Sequence, residues 1–238
     1  MTEHFCVVSG EMPETMRDAL RGSFAEVIPL PPDGDLAAPV HCHPDMLFAV
    51  LADRLFVSGR YFRENAAVIE KIAAYGGFVI QPADDRRGAV YPHDVAFNAA
   101  VWHDCVICRP ESTCASLLDF ARRQGYRIVP VKQGYTACSC IVTDDAVLTS
   151  DRGIHRSLTR AEIPCVLLPE GGISLPGYDC GFPGGACGYH RGVIFLCGGA
   201  DTLPCAEILR QRGYRIVSLA SSGSPVTDYG GIRIFQKK

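Results

Sequence analysis

A cysteine, a lysine and a tyrosine stand close together in Lys132-Gln133-Gly134-Tyr135-Thr136-Ala137-Cys138-Ser139. A lysine beside a thiol favours the thiolate, and the thiolate is the form of cysteine that attacks carbon. Cys138 is therefore a candidate nucleophile, with His43 or His93 as its candidate acid/base. The competing reading is structural. Cys138 and Cys140, two apart on a strand, would share one buried face.

His41-Cys42-His43-Pro44-Asp45 is the stretch most like a metal site. In an extended chain residues 41, 43 and 45 would face one side with nitrogen and oxygen donors suited to zinc. Pro44 interrupts such a strand, so a loop is expected there, with no metal and no other cofactor. Cys105-Val106-Ile107-Cys108 has the C-x-x-C spacing but reads as strand, which sends the two thiols to opposite faces. Glu170-Gly171-Gly172 and Gly184-Gly185-Ala186 lack the lysine and serine of a phosphate loop. Glycine at these points allows close backbone approach instead. Tyr178 and Asp179, between them, either overhang a pocket or belong to a plain surface loop.

These residues must be placed by repeated elements. Arg122-Arg123-Gln124-Gly125-Tyr126-Arg127-Ile128-Val129 is echoed by Arg210-Gln211-Arg212-Gly213-Tyr214-Arg215-Ile216-Val217. Each copy ends a helical pattern on glycine and opens a β-branched strand. Hairpins are expected at Phe48–Ser58, Val101–Cys108, Cys140–Ser150 and Gly188–Cys197, turning at Ala52-Asp53, His103-Asp104, Asp144-Asp145 and Arg191-Gly192. Thr227–Phe235 reads as a shortened fifth hairpin. Helices are expected at 14–21, 63–74, 112–124, 155–162 and 203–212, followed by strands at 26–30, 78–81, 127–131, 165–168 and 215–219. The unit recurs roughly every 40–50 residues, as in an array that closes on itself. No linker interrupts it, so residues 1–238 are expected to form a single domain.

With 47% hydrophobic and 21% charged residues the chain has the composition of a soluble globule. A net charge of −3 gives no reason to expect nucleic acid or a membrane as partner. The stretch Met1 to Cys6 does not read as a signal peptide, and the twelve cysteines read as reduced thiols of a cytoplasmic protein.

The repeated ββαβ unit resembles the pentein, or guanidino-group-modifying, fold: an α/β five-bladed propeller around a pseudo-fivefold axis. Asp94-Val95-Ala96-Phe97-Asn98-Ala99-Ala100-Val101 is similar to a segment opening an early blade of those enzymes, and Asp45-Met46-Leu47-Phe48 echoes it. Lys132–Ser139 and the stretch Ile173–Ala186 look like an uncharacterised family of the same fold. The resemblance implies a central channel, with His43, Asp45, His93 and Asp94 at one mouth and Cys138 opening into it. Lys132, Tyr135, Glu170, Asp179 and Asp228 join Asp45 and Asp94 as candidate ligand-binding residues.

The enzyme pattern itself is broken. The family's nucleophilic cysteine belongs in the C-terminal hairpin, but Gly230-Gly231-Ile232-Arg233-Ile234-Phe235 puts Ile234 there. Its G-H-x-D/E segment reads Gly134-Tyr135-Thr136-Ala137, and Ala100 replaces an expected Asn or Asp. The expected function is thus non-covalent binding of a small polar ligand, amino-acid or guanidino-like, in the channel. A cysteine-dependent hydrolase built on Cys138 is the alternative, and a non-catalytic interaction protein, like the fold's ribosome-binding member, the third.

Overall fold

The computed structural model describes residues 3–83 and 88–238; Met1 and Thr2, the start of the N-terminal stretch read above, lie outside the described residues. The chain opens with β1 (His4–Ser9), helix α1 (Glu14–Arg21) and β2 (Glu26–Leu30). A one-turn helix α2 (Pro44–Leu47) leads into the hairpin β3 (Phe48–Leu51) and β4 (Arg54–Ser58). Helices α3 (Gly59–Glu64) and α4 (Ala66–Gly76) then precede β5 (Val79–Ala83). The next unit is β6 (Ala100–Trp102), β7 (Cys105–Cys108), α5 (Ala115–Arg123) and β8 (Arg127–Pro130). A second one-turn helix, α6 (Thr136–Ser139), precedes β9 (Cys140–Val142), β10 (Val147–Thr149), α7 (Arg152–Arg160) and β11 (Cys165–Leu167). After the short β12 (Ile173–Ser174) come β13 (Cys187–His190), β14 (Val193–Leu196), α8 (Ala206–Gln211) and β15 (Arg215–Ser218). The chain ends with β16 (Val226–Thr227) and β17 (Arg233–Gln236).

Among the described residues, five three-stranded sheets share one plan: an antiparallel pair, then a helical crossover to a parallel third strand. Each crossover is long enough for the parallel geometry, which a tight turn cannot provide. Three of the expected turns are present as two-residue loops, with Ala52, His103 and Arg191 at φ of 52°, 50° and 47°. Positive φ at this position matches the loop twist to that of its strands. The fourth is wider. Thr143 Oγ1 accepts from Ala146 N–H at 3.1 Å and holds a loop from Thr143 to Ala146 around the Asp144-Asp145 pair.

Hydrophobic clusters join the sheets pairwise in chain order. Phe5, Val7, Leu55 and Val57 link the first to the second, and Leu51, Phe56, Val106 and Leu117 the second to the third. Ile107, Val129, Val147 and Leu158 join the third to the fourth, and Ile141, Leu148, Ile194 and Leu209 the fourth to the fifth. Val8, Leu20, Phe195 and Leu219 then return from the fifth to the first. Amphipathic α1, α5 and α7 turn their apolar stripes into these clusters.

Four expectations change. The helix expected at 63–74 is two helices broken at Asn65, whose φ of −130° is not helical. Thr227–Phe235 is not a hairpin: β17 pairs antiparallel with β1 from the other end of the chain, and β16 pairs with β12. Among the described residues the sheets remain separate, and no single sheet closes on itself. Cys138 lies on α6 rather than on a strand, and packs in a different cluster from Cys140. Cys105 and Cys108 do face opposite clusters, as their strand spacing requires. All twelve cysteines are free thiols, and among the described residues no helix is long and apolar enough to cross a membrane.

Candidate functional site

The one-turn helices α2 and α6 carry the central polar residues. In α2, Pro44 occupies the first helical position, where its missing N–H costs nothing and its fixed φ suits the turn. His43, just before it, and Asp45, just after, both point inward. Asp45 N–H donates to the Gly230 carbonyl at 3.2 Å, which brings the C-terminal segment against α2. Gly230 has φ +74°, and a Cβ there would lie 2.3 Å from that of His43, so glycine is required.

Asp228 is fixed by the same approach. Its Oδ1 accepts from Gly230 N–H and its Oδ2 from Phe182 N–H, each at 2.9 Å. His43 Nδ1 lies 3.7 Å from Asp228 Oδ1. A Cβ on Gly185 would sit 2.0 Å from that oxygen, and one on Gly184 would sit 2.4 Å from the Ala137 carbonyl oxygen, which accounts for the glycine pair 184–185.

Asn98 organises α6. Its Oδ1 accepts from Ala137 N–H at 2.7 Å and Cys138 N–H at 3.2 Å, while its Nδ2 contacts Cys138 Sγ at 2.9 Å and Met46 Sδ at 3.1 Å. One amide thus ties both one-turn helices together. Tyr135 O–H donates to Asp94 Oδ2 at 2.6 Å, and its ring lies between those of Tyr91 and Phe182, at 5.4 and 5.9 Å.

His43, Asp45, Asp94, Cys138 and Asp228 are each at most 4% exposed. Both carboxylate oxygens of Asp45, and Oδ1 of Asp94, are buried with no hydrogen-bond partner. The Cys138 thiol stands near enough to Asp45 to feel its charge, without the geometry of a full hydrogen bond. Among the described residues, no lysine or arginine pairs with Asp45, Asp94 or Asp228. A buried anion without a partner is costly.

Burial, reinforced by Asp45 and Asp228, holds the Cys138 thiol well above its ordinary pKa, against a smaller pull from Asn98. Burial followed by the charge of Asp45 raises Asp228 to about 7, despite its two backbone bonds. Burial lowers His43 and outweighs the nearby acids. Burial and the Asp94 bond both raise Tyr135. The thiol is therefore a neutral wall of the site at neutral pH.

The structure brings together His43, Asp45, Asp94, Tyr135, Cys138 and Asp228. It leaves out four sequence candidates. His93 is exposed and borders an outer cleft with Glu111 and Ser112. Lys132 is exposed in a separate cleft with Arg156 and Arg160, so it is not a group that lowers the Cys138 pKa. Glu170 is exposed, 3.9 Å from Arg152, and Asp179 is exposed too. Tyr178 overhangs the cluster closely enough for Asp94 to raise its pKa, second to burial. Asn98 and Met46 were not among the sequence candidates. The signal for Asn98 was its spacing from Asp94 in the segment quoted above, one turn of chain ahead of a strand.

Asn98→Ala is expected to lower stability by about 2 kcal/mol, since two buried backbone N–H groups lose their acceptor. Urea unfolding measures this, and an unchanged midpoint would mean that water or a rearranged side chain caps α6 instead.

The model of a family of unknown function (DUF6873) matches residues 7–233. The chain belongs to this family. No curated protein matches it. Solved structures do: DDAH from Pseudomonas aeruginosa, a mutant complexed with citrulline, is 10% identical with a TM-score of 0.56, and 92% of each chain is covered. A dimethylarginine dimethylaminohydrolase adduct with S-methyl-L-thiocitrulline is 10% identical with a TM-score of 0.59, again covering 92% of each chain. ArgZ, an arginine dihydrolase of the cyanobacterial ornithine-ammonia cycle, is 12% identical with a TM-score of 0.59; 94% of this chain matches 37% of that one. This DUF6873 chain therefore has the pentein fold of guanidino-modifying proteins, and identities this low carry fold and not activity.

Proposed function

We propose that this DUF6873 protein is a five-bladed α/β propeller whose centre binds a small cationic ligand, a guanidinium or an amino-acid ammonium, without covalent chemistry. The cyclic order of the hydrophobic clusters supports the five-bladed reading, with each three-stranded sheet as a blade around the pseudo-fivefold axis. The observation that carries the function is Asp45, a buried carboxylate with two unpartnered oxygens close to Asp228. A guanidinium presents several N–H donors in a plane and matches carboxylates in fixed positions. Tyr135 and Phe182 supply flat faces, and Tyr178 covers the mouth. Because the cluster is closed, entry requires the segment around Tyr178 and Phe182 to move.

The raised thiol speaks against Cys138 as a nucleophile. In the ligand-free protein iodoacetamide at neutral pH should label exposed Cys180 and leave Cys138 unmodified, as read by peptide mass spectrometry. Rapid labelling of Cys138, with a midpoint near neutrality, would favour the hydrolase reading instead.

The binding test is thermal stabilisation by L-arginine, agmatine and citrulline. The two cations are expected to stabilise the protein by about 2.7 kcal/mol at a hundredfold excess over Kd, and citrulline, with a neutral ureido group, to act much more weakly. Equal effects from all three, or none from any, would reject a carboxylate-based cation site.

A further inference from the structure

We propose that Glu11, His41 and Cys42 form a binding site for one transition-metal ion of the zinc class, outside the central cluster. A carboxylate oxygen, an imidazole nitrogen and a thiol sulfur from these residues all lie within 4.8 Å of one another. They come from two separate segments, the turn after β1 and the loop ahead of α2. Zinc bonds of 2.0–2.3 Å in a tetrahedron put donors about 3.4–3.7 Å apart, so small side-chain rotations close the site. Oxygen, nitrogen and sulfur together select a borderline metal over calcium or magnesium, which take oxygen alone.

The surroundings are built for it. The three residues line a cleft of about 500 Å³ walled by Pro29, Leu30, Pro31 and Pro32. Cys42 forms its buried floor, His41 is partly covered and Glu11 stands on the rim. His41 Nε2 already lies 2.9 Å from Glu11 Oε1. The loop is pinned by Asp33 N–H donating to the His41 carbonyl at 2.9 Å, and the turn by Gly10 N–H donating to the Leu30 carbonyl at 3.0 Å. Three protein ligands leave a fourth position facing the open cleft, as in zinc sites that hold water or an external ligand. Arg17 also borders the cleft, with its guanidinium on Glu14 and the Gly10 carbonyl. Its charge favours an anion at the fourth position. On binding, the Cys42 thiol gives its proton to solvent and the thiolate coordinates.

The sequence drew attention to His41, His43 and Asp45. The fold splits that run, sending His43 and Asp45 into the centre and leaving His41 and Cys42 to meet Glu11.

The test is cobalt(II) titration of the reduced, chelator-treated full chain. The expected result is one equivalent bound with a near-ultraviolet thiolate-to-cobalt charge-transfer band that zinc abolishes. Cys42→Ser should remove the band, while Cys138→Ser and Cys180→Ser keep it. Glu11→Gln, a change on the rim, should retain the band and weaken affinity at least about tenfold. Absence of the band, its survival in Cys42→Ser, or its loss in Cys180→Ser overturns the proposal. Should Cys42→Ser lose its far-ultraviolet dichroism, Glu11→Gln decides, and unchanged affinity there overturns it equally.

Discussion

Asp45→Asn is expected to make the protein more stable and, in the same step, to remove its response to cationic ligands. The two effects share one cause. In the ligand-free protein both Asp45 oxygens are buried without a partner, so the carboxylate has lost water and gained nothing in exchange. The amide has nearly the same shape and no charge, and replacing an uncompensated buried charge gains about 2 kcal/mol. For a chain of this size that is about 4–8 °C in melting temperature. A bound guanidinium reverses the sign, because Asp45 then becomes one half of a desolvated ion pair. Losing that half costs about 2 kcal/mol or more, a weakening of at least about thirtyfold. Calorimetry with and without L-arginine measures both, and Asp53→Asn, exposed in the β3–β4 turn, should change neither. An Asp45→Asn protein that is less stable would show that the carboxylate already has a partner within the fold. One that still responds fully to arginine would remove Asp45 from the ligand site.

What the sequence could and could not reveal divides along a physical line. Elements fixed by local pattern were legible: α1 and β2 have the bounds the periodicity implies, and the turns at Ala52, His103 and Arg191 fall where two polar or small residues separate β-rich runs. The one-turn helices α2 and α6 were not. Four residues carry too little periodicity to be seen, and their hydrogen bonds come from afar, from Gly230 to α2 and from Asn98 to α6. That miss altered the reading of Cys138. On a strand it would face the same way as Cys140 and sense Lys132; on α6 it is buried near Asp45, and burial followed by that charge raises its pKa. The acidic centre was partly legible, because Asp45 and Asp94 begin echoed segments. Nothing local distinguishes Asp228 from a turn residue, and its role rests on Phe182 and Gly230 folding over it. His93 and Lys132 show the converse, since each is exposed beside a buried neighbour in sequence, Asp94 and Val131.

Affinity for a cationic ligand should rise with pH across neutrality. Burial and the neighbouring Asp45 raise Asp228 to about 7, well above an unfolded aspartate. The folded state therefore binds a proton more tightly than the unfolded one. Stability from this group is fully present below the unfolded pKa near 4, and declines as pH rises from there through about 7. A cation needs the anionic form, so binding expels the proton wherever Asp228 holds one. Below about pH 7 the affinity should fall by up to about tenfold per pH unit, and above about pH 8 it should level off. Asp228→Asn should remove both dependences together: the stability decline over that pH range and the pH slope of binding. Isothermal titration in two buffers of different ionisation enthalpy reads the proton release directly. Release near one proton at pH 6 that vanishes in Asp228→Asn is the expected pattern. Binding with no proton release at pH 6 would mean that the ligand is held by groups other than the buried carboxylates, whatever its affinity. The same linkage explains why a closed acidic centre can exist without a ligand: a proton on Asp228 relieves its repulsion with Asp45 until a cation takes its place.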